Sequence, residues 1–409
     1  MNLRPLDRVA PDRRTAQAVK LATILVIAAN LRPTITAYGS VVGLIGTDTG
    51  LRPAALGVLG AIPLLAFAVV SPVVHQLSRR IGPDRAVLVA TAVLILGTVL
   101  RSLPGPTVSL WLGTVILGAA IAVANVTVPV IVRRDFAHEV PRVTGLYSAV
   151  LGITAAFASG LTLPIAQRTG WRVAIGVWGA LSVLALVGWL GRLRLDPPPP
   201  LSRVRTRPRS ADASMWTSAV AWQVTALMAT QAMSFYLLVT WLPTIEISLG
   251  FDPVTAGWHS FVYQVSGIVA GLAVTTLMRG RRDHRAVGVG ISLALVVAIT
   301  GLLLVPGLSP LWLVLAGTSG GSSLVLALTL VGERARTSDD ASRLSGMAQS
   351  IGYLLAAAGP IGAGLLFDAT GSWTPALVAV IIIGATQLLV ALFAGRDRFT
   401  HPADLSRLS

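Results

Sequence analysis

Residues 50–57 read GLRPAALG and residues 250–257 read GFDPVTAG, so Gly50, Pro53 and Gly57 return two hundred positions later as Gly250, Pro253 and Gly257. The offset, held to within one residue, also relates Arg85, Ala86 and Val87 to Arg285, Ala286 and Val287, and Trp111 and Leu112 to Trp312 and Leu313. It relates Arg142 and Gly145 to Arg343 and Gly346, and Thr169 and Gly170 to Thr370 and Gly371. Register kept at five places in sequence this hydrophobic is hard to obtain by accident, so the chain reads as one unit written twice. Between the copies lies the longest polar stretch, RLDPPPPLSRVRTRPRSADASM at 194–215: a stiff proline run followed by a basic tract. The expected organisation is therefore a first unit at 1–193, a linker at 194–215 and a second unit at 216–409.

What each unit is follows from composition. Of 409 residues, 54% are apolar and only 12% are charged, with a mean hydropathy of +0.75. Ordinary soluble chains carry roughly a quarter charged residues, so a soluble globular fold is excluded. Crossing about 30 Å of hydrocarbon takes roughly 20 residues at 1.5 Å each. Twelve runs qualify, at 19–46, 54–78, 86–103, 108–132, 142–167, 173–193, 216–247, 254–278, 286–305, 310–332, 342–367 and 373–395. The first is too long, and too interrupted by Asn30 and Arg32, to be a cleaved signal, and reads as a retained helix.

The net charge of +15 would suggest a nucleic-acid partner in a soluble domain. Here its placement decides otherwise. With twelve spans the connections alternate between two faces; one face holds 27 Lys and Arg residues, the other only Arg52, Arg101, Arg168 and Arg172, and Arg32 lies inside a span. By the positive-inside rule both termini and the linker are expected on the cytoplasmic face of the membrane. No aromatic-interleaved basic patch stands outside these loops, so no nucleic-acid partner is expected. The chain has no cysteine, and no His, Asp or Glu grouping has metal-ligand spacing; no metal, cofactor or enzymatic centre is expected.

Two six-helix units of the same orientation joined by a cytoplasmic linker match the parallel repeat of major facilitator transporters, in which solute binds between the halves near the midplane. Arg79, Arg80, Gly82 and Arg85 occupy the place of that superfamily's loop signature between helices 2 and 3. Arg79 stands where the signature has an aspartate, which puts the salt bridge of that inward gate in doubt.

Arg32, in Asn30-Leu31-Arg32-Pro33, is the one charge deep in a span. An arginine at the bilayer centre costs at least ~2.5 kcal/mol on insertion scales and must face a cavity or a partner. No carboxylate lies near the centre of any span: Asp48, Glu246 and Asp252 fall at outer ends, Glu333, Asp339 and Asp340 at inner ones. Arg32 thus reads either as the ligand of a planar, anionic or polar solute, or as a donor to carbonyls freed by Pro33. Asn30, Asn125, Gln231, Gln264, Gln349 and Tyr353 are polar at central depth, and His259 and Tyr263 share a face of helix 8 as Gln349 and Tyr353 do of helix 11. Each is either cavity lining or cement between helices. Tyr236 and Trp241 can stack on a planar solute or anchor a helix end; for Tyr147 the anchor is favoured. The run Gly317 to Ser323 reads as close helix packing ahead of a backbone ligand site. Only His75 and His259 can titrate within spans, so proton coupling is not evident.

The helix 1 motif Asn30 to Pro33, the stretch Asn125 to Pro129 with Arg133-Arg134, the run Gln231 through Phe235-Tyr236 to Trp241-Leu242-Pro243, and Gly346 to Tyr353 resemble the cyanate permease and 2-nitroimidazole transporter family of bacterial major facilitators. Gly359-Pro360 and Asp368 to Trp373 continue the likeness. It implies a small planar solute, in agreement with the reading of Arg32. The expectation is an all-α, twelve-helix monomeric membrane transporter, with a small anion such as cyanate as solute and Arg32 as its electrostatic ligand. Efflux of an aromatic drug is the alternative, and a non-transporting membrane sensor a distant one.

Overall fold

The computed structural model describes residues 13–195 and 215–400; most of the linker at 194–215, with Arg4, Arg8 and Arg407, lies outside the described residues. Helices α1 (Arg13–Leu31) and α2 (Pro33–Thr49) form the first span, followed by α3 (Pro53–Ile81), α4 (Pro83–Ser102), α5 (Thr107–Asp135) and α6 (Val140–Thr169). Then α7 (Trp171–Gly176) and α8 (Gly179–Leu195) share the sixth span. The second series is α9 (Ala219–Ser248), α10 (Pro253–Met278), α11 (Arg285–Leu304), α12 (Ser309–Glu333), the pair α13 (Ser338–Ala356) and α14 (Ala358–Thr370), and α15 (Thr374–Ala394). Twelve of these segments are long and apolar enough to cross a membrane, at nearly the expected bounds, and the described residues form no strand. Large side chains such as Val69 and Leu304 stay 69% and 75% exposed, as the hydrocarbon-facing surface of a bundle requires.

The repeated Gly-x-x-Pro is a helix stop followed by a helix start. Gly50 closes α2 at φ +68° and Gly250 follows α9 at φ +98°, while Pro53 and Pro253 open α3 and α10 at positions where a missing N–H costs nothing. The second glycine of each motif lets backbones meet. A Cβ on Gly57 would lie 2.4 Å from Pro360 O, and one on Gly257 3.3 Å from Gly160 O. The contacts of α3 with α14 and of α10 with α6 are thus one contact built twice, and with α2 against α9 and α3 against α13 they join the two series.

The helix ends toward the basic loops carry two related networks. In the first series Asp84, 2% exposed, takes Arg134 and Arg192 together, Asp135 pairs with both arginines, and Trp189 Nε1 donates to Asp84 O at 2.9 Å. Asp84 thereby ties α4, α5 and α8 together. Two hundred residues after Arg134, the buried Arg334 donates to Arg282 O and Gly395 O at 3.0 and 3.1 Å, and His284 Nε2 meets Glu333 Oε2 at 2.7 Å. Arg101, expected in an outer loop, is 1% exposed at the end of α4, its Nη1 donating to Thr34 O at 3.0 Å. Gly113 brings α5 so close that a Cβ there would lie 2.4 Å from Arg101 N, which closes water off.

Candidate functional site

The helix breaks where Arg32 and Pro33 meet: α1 ends at Leu31 and α2 begins at Pro33, with Arg32 as its N-cap residue. Arg32 O receives the N–H groups of Ile35 and Thr36, both at 3.0 Å. The guanidinium takes no carbonyl and no carboxylate among the described residues; it lies over the ring of Phe235, 5.3 Å from the centroid. The alternative role, donor to the carbonyls freed by Pro33, is therefore not seen.

Arg32 opens into a cavity of about 420 Å³, the size of a small-molecule site. Its walls are α6 at Ser148 and Gly152, α9 at Gln231, Phe235 and Tyr236, α10 at Tyr263 and Gln264, α12 at Gly317, Gly320 and Gly321, and α13 at Tyr353. The aromatic rings form a chain. Phe235 stacks on Tyr263 at 6.2 Å and meets Tyr236 edge-on at 5.2 Å, and Tyr236 meets Tyr353 at 6.4 Å. Tyr147, Tyr236, Tyr263 and Tyr353 all stand within electrostatic reach of Arg32. The glycines of α12 make this wall thin, because a Cβ on Gly321 would fall 1.8 Å from Gly267 O. Close packing, the favoured reading of that run, is what the geometry shows, and it also lets the cavity reach the α12 backbone.

From Arg32 the cavity runs along α6, α10 and α12 toward the face of the basic loops, where Thr275 and Leu272 are exposed. On the other side of Arg32 the bundle is shut: Tyr38, Leu237 and Trp241 are at most 4% exposed.

Of the residues expected to line a site, the structure brings Arg32, Gln231, Tyr236, Tyr263, Gln264 and Tyr353 together. Gln231 Nε2 has only Met228 Sδ, at 3.4 Å. Gln264 both lines the cavity and cements the halves, its Nε2 donating to Ala155 O at 3.0 Å and to Ser159 Oγ. The other five lie elsewhere. Asn30 holds α1 to α8, donating to Val26 O and Leu181 O at 2.8 and 2.9 Å and accepting from Ser182 Oγ. Trp241 Nε1 donates to Pro360 O at 2.9 Å. Gln349 is exposed and donates to Ser345 Oγ, Asn125 is half-buried on α5 and outside the cavity wall, and His259 binds the Glu246 carboxylate. Phe235 escaped the sequence reading, although its i+4 spacing from Gln231 places the two on one face.

Twelve apolar helices closed at one end over a solute-sized cavity, with a lone cation at its head, describe a membrane transporter, not an enzyme. The chain belongs to the Major Facilitator Superfamily, whose model matches residues 24–360, and is a multi-pass protein of the inner membrane. It is 36% identical to the 2-nitroimidazole transporter of Escherichia coli (strain K12) over 93% of this chain and 96% of that one. To the cyanate transport protein CynX of the same organism it is 22% identical, over 86% and 91%. Among solved structures, a bacterial homolog of the human lysosomal transporter Spinster in an inward-facing, occupied conformation superposes with a TM-score of 0.74 at 14% identity, covering 94% and 98% of the two chains.

Proposed function

We propose that the protein carries a planar, polar or anionic solute across the membrane by alternating access, with Arg32 as the electrostatic ligand and Phe235, Tyr236, Tyr263 and Tyr353 as stacking walls. The observation that carries this is the unpaired Arg32 guanidinium over Phe235 at the head of the cavity. A cation held at that depth without a counter-charge needs one from a ligand, and its forked donors fit two coplanar oxygens, as in a nitro or carboxylate group. Gln231 and Gln264 add polar edges to an otherwise apolar wall.

The sequence alone placed a cyanate-like ion first. A triatomic anion would leave most of 420 Å³ unfilled and the rings unused, so the cavity favours a nitroaromatic or aromatic carboxylate. The 36% identity to a 2-nitroimidazole transporter supports the same choice over the 22% to a cyanate carrier. With both termini cytoplasmic, as the loop charges indicate, the cavity faces inward. The two six-helix series then act as the two rocking bodies, joined by the linker at 194–215. An anion leaving the cell runs down an inside-negative potential worth ~2.3 kcal/mol per 100 mV, which makes export the natural direction for a charged solute.

Binding of 2-nitroimidazole, benzoate and cyanate to detergent-purified wild type and Arg32→Gln tests the reading. Hydrogen bonds to a charged group contribute about 1.5–3 kcal/mol, so the variant should lose roughly 10- to 100-fold in affinity for the oxygen-bearing aromatics. Equal affinity in the two proteins overturns the role of Arg32, and tighter binding of cyanate than of either aromatic overturns the choice of solute.

A further inference from the structure

Outside the cavity, α9, α10 and α12 meet at their outer ends around a second polar group. Glu246 of α9 is 0% exposed, although it falls within a membrane-crossing segment. One of its oxygens is bonded by His259 Nδ1 of α10 and the other accepts from Ser309 Oγ of α12 at 2.5 Å. The edge of Phe251 covers the imidazole at 5.1 Å. The duplication argues that the fold does not require this group, because the positions two hundred residues earlier are Gly46 and Leu59, neither of which carries a polar side chain. His259 also lies one turn from Tyr263 on the same face of α10, so the cluster sits directly outside the cavity wall.

Net charge sets what the pair can hold. With one proton on it, the pair is neutral overall, whichever partner carries that proton; without it, a full negative charge is left in the apolar end of the bundle. Among the described residues no neighbouring cation answers that charge. Of the charged groups on the elements around α9 and α10, Asp48 of α2 bonds Arg172 and Trp171, and Asp368 of α14 accepts from Ala54 N. Asp252 caps α10, Arg52 and Arg168 are exposed, and α12 and α15 present no charge at this end.

We propose that Glu246 and His259, with Ser309 completing the carboxylate's hydrogen bonds, form the proton-binding site that couples solute movement to a proton gradient. The site retains one proton while the outer ends are closed, as here, and exchanges it with the outer water when those ends part. Proton movement is a transfer between His259 Nδ1, Glu246 Oε2 and water, and needs no other reactant. The inference rests on the transport reading above but not on the identity of the solute.

The test uses the full chain in liposomes equilibrated with 2-nitroimidazole, across which a pH gradient is then imposed. For one proton per solute, a gradient of one unit should redistribute the solute up to about tenfold. Wild type should approach that ratio. Glu246→Gln, His259→Asn and the double variant should show no redistribution, while counterflow exchange, which needs no net proton movement, stays measurable. Redistribution equal to wild type in the variants, or loss of exchange together with it, overturns the proposal. If wild type neither binds nor moves 2-nitroimidazole, the solute reading fails by itself. Proton uptake by purified protein titrated from pH 9 to pH 5 then decides: the double variant Glu246→Gln/His259→Asn should take up at least one proton fewer per chain than wild type, and equal uptake overturns the site.

Discussion

Gly39 of α2 faces Val239 of α9, its own counterpart two hundred residues on, so closely that a Cβ on Gly39 would lie 1.9 Å from Val239 O. The duplicated first helix of each series therefore meets its twin at the closed end, above Arg32. Backbone against backbone leaves no side chain that could yield.

Gly39→Ala is expected to part the outer ends, since no rotamer change relieves a clash with a carbonyl oxygen. The chain has no cysteine, so Thr244→Cys, facing Gly43 across the same seam, reports on opening against a clean background. Labelling by an impermeant thiol reagent should rise several-fold in the Gly39→Ala protein, and an unchanged rate would show that the seam tolerates a methyl group.

Phe235→Leu removes the ring beneath Arg32 and one stacking face for a solute. Aromatic contacts contribute about 0.5–1.5 kcal/mol beyond area burial, so affinity for a nitroaromatic should fall roughly 2- to 12-fold with cyanate affinity unmoved. A parallel loss for both ligands in a calorimetric titration would mean that Phe235 acts only by placing Arg32.

Asn30→Leu should lower stability and leave binding alone. All its amide atoms serve Val26, Leu181 and Ser182, and such bonds between membrane helices are worth about 0.6–2 kcal/mol. A lower Tm with solute Kd within twofold of wild type is the expected pair of results; a large change in Kd at wild-type Tm would return Asn30 to the site.

Asp84→Asn removes a carboxylate shared by Arg134 and Arg192, the latter 2% exposed. Breaking one member of a buried pair typically costs about 3–5 kcal/mol, reduced here because Asp135 still holds both arginines. The loss in Tm should persist in 1 M salt, as buried pairs are little screened. A deficit that salt erases would place the network in water.

Much of the candidate cavity lining was readable in the sequence. Arg32 stood out because a bilayer makes an unpaired charge expensive, and Gln231, Tyr236, Tyr263, Gln264 and Tyr353 followed from depth in a span. Depth, however, does not say which way a side chain points. Asn30 and Trp241 lie at suitable heights yet spend their donors on Leu181 O and Pro360 O. Glu246 looked like an end-of-helix carboxylate in water until α10 and α12 closed over it.

By itself, then, the sequence determined the twelve helices and marked Arg32 as the charge at central depth, because hydropathy, Gly-Pro punctuation and charge are properties of each segment in lipid. Which faces of those helices meet, how wide a cavity they leave, and that Glu246, His259 and Ser309 converge across 63 residues were decided only by tertiary packing. Within a membrane every helix is apolar all round, so the choice of partner rests on the fit of glycines against backbone and on a few hydrogen bonds, and no periodicity along one chain records it.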